Sequence, residues 1–129
     1  MNGSRFIWAA VLYTAAVIGA SFLPGSSVPP GFPHMDKVIH ALAFAAMGLL
    51  VGLAFRRRAF LIDLVWIGLA GTLSEALQWF TPGRTVSAAD LASDVIGGLT
   101  GFCAVRLLIH WLRARPSPPP GPGGMGVAL

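Results

Sequence analysis

The sequence predicts an all-α integral membrane bundle of four transmembrane helices, and two observations support this. First, 55% of the 129 residues are hydrophobic and only 11% are charged, with a mean hydropathy of +0.73, whereas soluble proteins average about 25% charged residues. Second, the apolar residues form runs long enough to cross a hydrocarbon core of about 30 Å. Once these runs are assigned, no long polar segment remains for a soluble domain.

Four apolar runs are the predicted transmembrane helices. They cover about 6–23, 38–55, 59–80 and 88–112, within a membrane domain of residues 1–114 that precedes a disordered Pro/Gly-rich tail, 115–129. Pro24-Gly25 ends the first run, and Arg56-Arg57-Arg58 separates the second from the third. Thr81-Pro82-Gly83-Arg84 has the composition of a turn, and Ser87 is a good N-cap for the fourth helix.

The first apolar run has a second interpretation. Arg5 before an apolar core, with Ala20 at a weak cleavage site, is also the pattern of a signal peptide. The run is long for a signal peptide, however, and Leu23-Pro24 is a poor start for a mature chain. We therefore expect the first run to be a retained span.

Basic residues set the predicted orientation. Arg5, the Arg56-Arg57-Arg58 loop and the arginines at the end of the fourth span fall on one side of a four-span arrangement, which leaves Lys37 and Arg84 on the other. Because cytoplasmic loops carry an excess of Lys and Arg, both termini are predicted to be cytoplasmic. The net charge of +4 thus reflects arginines that orient the spans in the membrane. No nucleic-acid partner is predicted.

Polar residues converge at the predicted extracytoplasmic end of the bundle. They lie where the second span begins, the third ends and the fourth begins: Asp36, Lys37, His40, Glu75, Gln78, Arg84, Ser87, Asp90 and Asp94. Spacings of three, four or seven residues place each set on one helix face. Ionisable groups near a bilayer are costly and mark functional sites by default. We therefore expect a polar pocket or network at this end.

The polar residues are open to more than one chemical interpretation. The carboxylates and His40 are candidates for general acid or base catalysis. The carboxylate oxygens and the imidazole nitrogens are also suitable ligands for a divalent metal ion. The sequence has no dedicated metal motif such as His-Glu-x-x-His and no nucleophile elbow around Ser87. Catalytic and metal roles thus stay unassigned, and no cofactor is predicted. The simplest alternative is a structural lock in which the carboxylates pair with Lys37, Arg84 and Gln78.

The order and spacing of these residues resemble the VanZ-like family of small bacterial membrane proteins. The matching motifs are Asp36-Lys37-x-x-His40, Glu75-x-x-Gln78, Pro82-Gly83-Arg84 and Ser87-x-x-Asp90-x-x-x-Asp94-x-x-Gly97, within roughly residues 36–101. The family more often has asparagine at the position of Asp94, so the resemblance does not require a charge there. It implies a multi-pass protein of the bacterial cell membrane and, through the family's namesake, a link to low-level resistance to the glycopeptide teicoplanin. It implies no established reaction.

Three functions are consistent with the polar residues and the resemblance. The favoured one is an envelope protein whose outer pocket engages a lipid-linked cell-wall precursor, a lipid headgroup or the antibiotic itself. The second is a membrane enzyme acting on a lipid-phosphate or glycan, with Glu75 or Asp90 as base, Asp36 and His40 as proton shuttle and Arg84 holding the anion. The third is a small transporter, which would need an oligomer. The sequence leaves the choice between enzyme and binding protein, and the oligomeric state, open.

Overall fold

The computed structural model describes residues 3–23, 35–55, 59–83 and 87–115. These residues form four α-helices in chain order, α1 (Gly3–Ala20), α2 (Met35–Ala54), α3 (Ala59–Gln78) and α4 (Ala88–Ala114). The predicted all-α fold is therefore confirmed for this part of the chain. Residues 24–34, the Arg56-Arg57-Arg58 loop, Arg84 and the predicted tail beyond residue 115 lie outside the described residues.

The helices have the length and surface of membrane spans. Three of those described are long and apolar enough to cross a membrane: Met35–Ala54, Phe60–Gln78 and Ala88–Ala114. The apolar part of α1, Ser4–Ala20, is shorter. Large apolar side chains point outward on all four helices, with exposures of 66–69% for Trp8, Leu42, Leu69 and Leu107. Such an apolar surface is stable in contact with lipid tails but not in water. The chain is therefore a multi-pass membrane protein.

The ends of α1 and α2 differ most from their predicted positions, by about three residues. α1 ends at Ala20, and the N–H of Ser21 then bonds to the carbonyl of Ile18 in a turn. α2 begins at Met35 rather than at about residue 38, so Asp36 and Lys37 belong to its first turn. Hydropathy misses this turn because its residues are polar. A carboxylate is nonetheless favoured in the first turn of a helix, where the backbone dipole is positive.

α2 and α4 form the closest helix pair of the bundle. A Cβ on Gly97 would overlap the backbone of Ala41, and a Cβ on Gly48 would overlap the backbone of Gly98. Small residues at such positions let helix backbones meet, which is typical of helix interfaces in membranes. The close packing brings the polar beginnings of α2 and α4 side by side.

The bundle centre is apolar, and α1 is joined to α3 by hydrogen bonds. The buried cluster consists of Phe44, Met47, Ile67 and Ala70, with Tyr13, Val17, Trp66 and Val95 packed against it. Nε1 of Trp66 donates to Oγ1 of Thr14 at 2.8 Å. The hydroxyls of Ser21 and Ser74 lie 2.7 Å apart. Hydrogen bonds between helices satisfy polar groups that lipid cannot, so these two contacts hold α1 in place.

Candidate functional site

The polar end of the bundle, where α2 and α4 begin and α3 ends, has an outer ion pair. Nζ of Lys37 lies 2.8 Å from Oδ1 of Asp90 and 3.2 Å from Oδ2 of Asp36. The side chain of Asp90 is only 7% exposed, whereas that of Asp36 is 41% exposed. One ammonium group therefore bridges a buried carboxylate of α4 and an exposed carboxylate of α2. This contact aligns the beginnings of the two helices.

Deeper in the bundle, His40, Glu75 and Asp94 come together from α2, α3 and α4, and we call these three residues the inner cluster. Nδ1 of His40 lies 2.9 Å from Oδ1 of Asp94, which is completely buried. Nε2 of the same ring lies 3.3 Å from the amide nitrogen of Gln78. When Nδ1–H donates to Asp94, Nε2 accepts from Gln78. The imidazole is therefore held on both sides.

Glu75 is held by the beginning of α4. Its Oε2 accepts a hydrogen bond from the backbone N–H of Ser87 at 3.0 Å. Oγ of Ser87 accepts from the N–H of Ala89 at 3.2 Å, which confirms the predicted N-cap. Oε1 of Glu75 and Oδ2 of Asp94 are buried and have no hydrogen-bond partner within the described residues. Since buried polar atoms are nearly always paired, the inner cluster has unused capacity for a ligand.

A cavity of about 120 Å³ opens beside His40 between α1, α2 and α3. Its polar lining consists of Ser21, Asp36, His40, Ser74 and Gln78. Apolar side chains, including Val17 and Ala20 of α1, form much of the remaining wall. His40 belongs to both the cavity and the inner cluster. The imidazole thus lies between the cavity and the buried carboxylate of Asp94.

This geometry supports two kinds of chemistry. An imidazole oriented by a buried carboxylate, as His40 is by Asp94, is the arrangement that general-base catalysis uses. An imidazole nitrogen beside two carboxylate oxygens is also a donor set for a divalent metal. Suitable ligand atoms of the inner cluster all lie within 4.8 Å of one another. The polar end is acidic in character, because Lys37 is the only lysine or arginine among its described residues.

The structure brings together the predicted site residues that it describes. Arg84 lies outside the described residues, so its predicted contact with an anion stays a prediction. The partner of His40 differs from the one that its spacing suggested. The predicted proton shuttle placed His40 with Asp36, one turn away, whereas the ring bonds to Asp94 on another helix. Asp36 instead lies at the exposed edge and bonds to Lys37.

Two serines and a threonine near the cavity were not among the predicted site residues. Ser21 and Ser74 line the cavity, and Oγ1 of Thr81 donates to the carbonyl of Ser21 at 3.1 Å. A sequence signal for them exists. Ser74, Gln78 and Thr81 are spaced at i, i+4 and i+7, which places three polar side chains on one face at the end of α3.

The family comparison agrees with this architecture. The model of the family described as VanZ/LLP1 matches residues 4–110. The match extends the resemblance seen at 36–101 to α1 and to most of α4. No curated protein and no solved structure matches the chain. The family match covers most of the 129 residues, and the chain therefore belongs to the VanZ/LLP1 family.

Proposed function

We propose that this protein crosses the bacterial cell membrane four times, with both termini cytoplasmic and the polar end facing outward. We further propose that its cavity binds the headgroup of an envelope lipid, either a lipid-linked cell-wall precursor or a phospholipid, and so gives low-level protection against teicoplanin-type glycopeptides. Family membership supports the envelope role. The distribution of Arg5, Arg113 and Lys37 supports the orientation.

The observation that carries the proposal is the mixed lining of the cavity. Polar groups of Asp36, Ser74 and Gln78 lie in one lining with apolar side chains of α1 and α2. A lipid presents the same combination, because a headgroup with hydroxyl, amide or amine donors is joined to apolar carbons. Carboxylate and hydroxyl oxygens accept hydrogen bonds from such donors. A cavity with this lining at the end of a membrane bundle therefore fits an amphiphile.

The cavity volume favours a small chemical group over an intact glycopeptide. A cavity of about 150 Å³ holds one benzene molecule, so a volume of about 120 Å³ accommodates a group of only a few heavy atoms. A glycopeptide, which consists of several linked rings, is far too large to enter. The terminal part of a lipid headgroup is of suitable size. The ligand we propose for the cavity is therefore a lipid.

Two substitutions on neighbouring positions of α2 test this proposal. Ala43→Phe fills the cavity from its wall, whereas Leu42→Phe places the same ring on the outer surface, where Leu42 is 66% exposed. Mass spectrometry of lipids that co-purify with each protein measures binding, and growth inhibition by teicoplanin in a susceptible host measures protection. We expect Ala43→Phe to lose both and Leu42→Phe to match the parent protein. Elution as a single symmetric peak controls for folding.

Retention of both lipid and protection by a folded Ala43→Phe variant would rule out the cavity as the binding site. Where Ala43→Phe fails the folding control, Ser74→Leu fills the cavity from α3 and takes its place. Loss of protection by Leu42→Phe as well would show that crowding anywhere on α2 is harmful. In that case the cavity would have no special part in the function.

A second function, catalysis on a lipid, is favoured by the 2.9 Å contact between His40 and Asp94. In this alternative Asp94 orients the ring, the amide of Gln78 moves away from Nε2, and Nε2 takes a proton from a hydroxyl or a water in the cavity. Loss of a general base typically reduces turnover by about 10²–10⁴-fold. Thin-layer chromatography of lipids incubated with the purified protein is the measurement. A product that the parent forms and His40→Gln does not, while bound lipid is retained, would establish an enzyme.

A further inference from the structure

We propose that the inner cluster binds one divalent transition-metal ion through His40, Glu75 and Asp94. The three side chains come from three different helices, and suitable ligand atoms, one from each, all lie within 4.8 Å of one another. Such an ion would join α2, α3 and α4 at the polar end. This inference goes beyond the lipid-binding proposal and does not depend on which lipid the cavity holds.

The unsatisfied oxygens of the inner cluster indicate a cation. Glu75 is 5% exposed and Asp94 is 0% exposed. Oε1 of Glu75 and Oδ2 of Asp94 have no hydrogen-bond donor in the described part of the chain. The ammonium of Lys37 is bonded to Asp36 and Asp90. Two buried ionised carboxylates with unused oxygens are costly unless a proton or a positive charge neutralises them, and a bound ion would supply that charge.

Binding of an ion would draw the ligand atoms of the inner cluster together. Metal–ligand distances of about 2.0–2.2 Å place two ligands of a tetrahedral ion about 3.4 Å apart. A pair at the observed limit of 4.8 Å would therefore approach by about 1.4 Å, which requires the carboxylate side chains to rotate towards the ion. Gly71 of α3 leaves room for this, since a Cβ there would lie 3.3 Å from Oδ2 of Asp94. The carboxylate can thus lie against α3, one turn from Glu75.

The donor set selects the class of ion. One imidazole nitrogen and two carboxylate oxygens suit Zn²⁺, Mn²⁺ or Fe²⁺, whereas Ca²⁺ and Mg²⁺ take oxygen ligands. If Nδ1 of His40 binds the ion, Nε2 carries the proton and donates to the side-chain oxygen of Gln78 after the amide rotates. A histidine that binds a metal usually donates a hydrogen bond through its other ring nitrogen in this way. Three protein ligands leave at least one position on the ion for water.

Calorimetric titration of the chelator-treated, full-length protein in detergent tests the site, with Zn²⁺ alone and Mn²⁺ alone as probes. We expect the parent to bind one ion per chain. Glu75→Gln and Asp94→Asn should each weaken binding at least tenfold, because each removes a ligand carboxylate. Asp63→Asn is the matched control. It removes a buried carboxylate that lies near the beginning of α3, away from the inner cluster, and it should leave the affinity unchanged.

Two results would overturn the proposal. One is the absence of saturable binding of either ion by the parent protein. The other is an unchanged affinity in both Glu75→Gln and Asp94→Asn, which would place the ion elsewhere. If these variants do not fold, the visible absorption of Co²⁺ in the parent decides. A band lost on adding one equivalent of Zn²⁺ supports a specific site with protein ligands, and no band contradicts it.

Discussion

The carbonyl oxygen of Gly98 in α4 occupies the space that a Cβ on Gly48 in α2 would need. The two backbones are therefore in direct contact at this point, and only a residue without a side chain fits. The contact fixes how α2 and α4 are rotated against each other. Both cross-helix pairs of the polar end, Lys37 with Asp90 and His40 with Asp94, depend on that rotation.

Gly48→Ala should destabilise the protein by forcing α2 and α4 apart. Overpacking of this kind typically costs about 1–3 kcal/mol. Gly68→Ala is the matched control, since a Cβ on Gly68 of α3 meets no atom within 4 Å. Alanine at that helix position should be neutral or stabilising by up to about 1 kcal/mol. Unfolding in detergent measures both, and equal losses of stability would contradict the close contact.

Lys37→Met should lower the unfolding temperature, because it leaves the buried carboxylate of Asp90 without its cation. A double-mutant cycle isolates this pair from general effects of the substitution. In an Asp90→Asn background, Lys37→Met should have a clearly smaller effect than in the parent. If the two effects are the same size, the ion pair does not contribute to stability.

Asp63→Asn should raise the unfolding temperature in detergent at pH 8. Asp63 lies near the beginning of α3, is 0% exposed, and neither of its carboxylate oxygens has a hydrogen-bond partner among the described residues. A buried carboxylate without a partner is costly, and asparagine has the same shape without the charge. Asp36→Asn, at a partly exposed site, controls for loss of an acidic residue. A lower temperature would mean that a group outside the described residues compensates Asp63.

Cysteine labelling should establish the orientation. Cys103 is exposed, so the experiment uses a Cys103→Ala background with a single new cysteine at Pro82 or Arg115, both exposed positions. A membrane-impermeant maleimide should label Pro82→Cys in intact cells and Arg115→Cys only after permeabilisation. The reverse pattern would invert the proposed topology. Labelling of both in intact cells would show that α4 does not cross the membrane.

The sequence predicts that polar residues of three helices gather at one end of the bundle, but not how these residues pair. Asp36, Glu75 and Asp94 each lie at the end of an apolar run, and antiparallel packing of such runs brings these ends together. The pairing of His40 with Asp94 depends instead on the rotation of α2 against α4. That rotation follows from a backbone contact at Gly48, which hydropathy and helical spacing do not encode.

The cavity could not be predicted from the sequence either. A cavity is the space that remains after helices have packed, so no single segment specifies it. Ser21 and Ser74 were overlooked because each lies within or beside an apolar run, where a small hydroxyl resembles an ordinary packing residue. Their 2.7 Å contact becomes visible only once α1 is placed against α3.

α1 and the turn after it contribute Val17, Ala20 and Ser21 to the cavity but no residue to the inner cluster. Movement of α1 away from α3 would break the Ser21–Ser74 and Trp66–Thr14 hydrogen bonds. It would open the cavity sideways to the bilayer and leave α2, α3 and α4, which carry the inner cluster, in place. With the two ligands that we propose, α1 would control the exchange of lipid, and the other three helices would retain the cation.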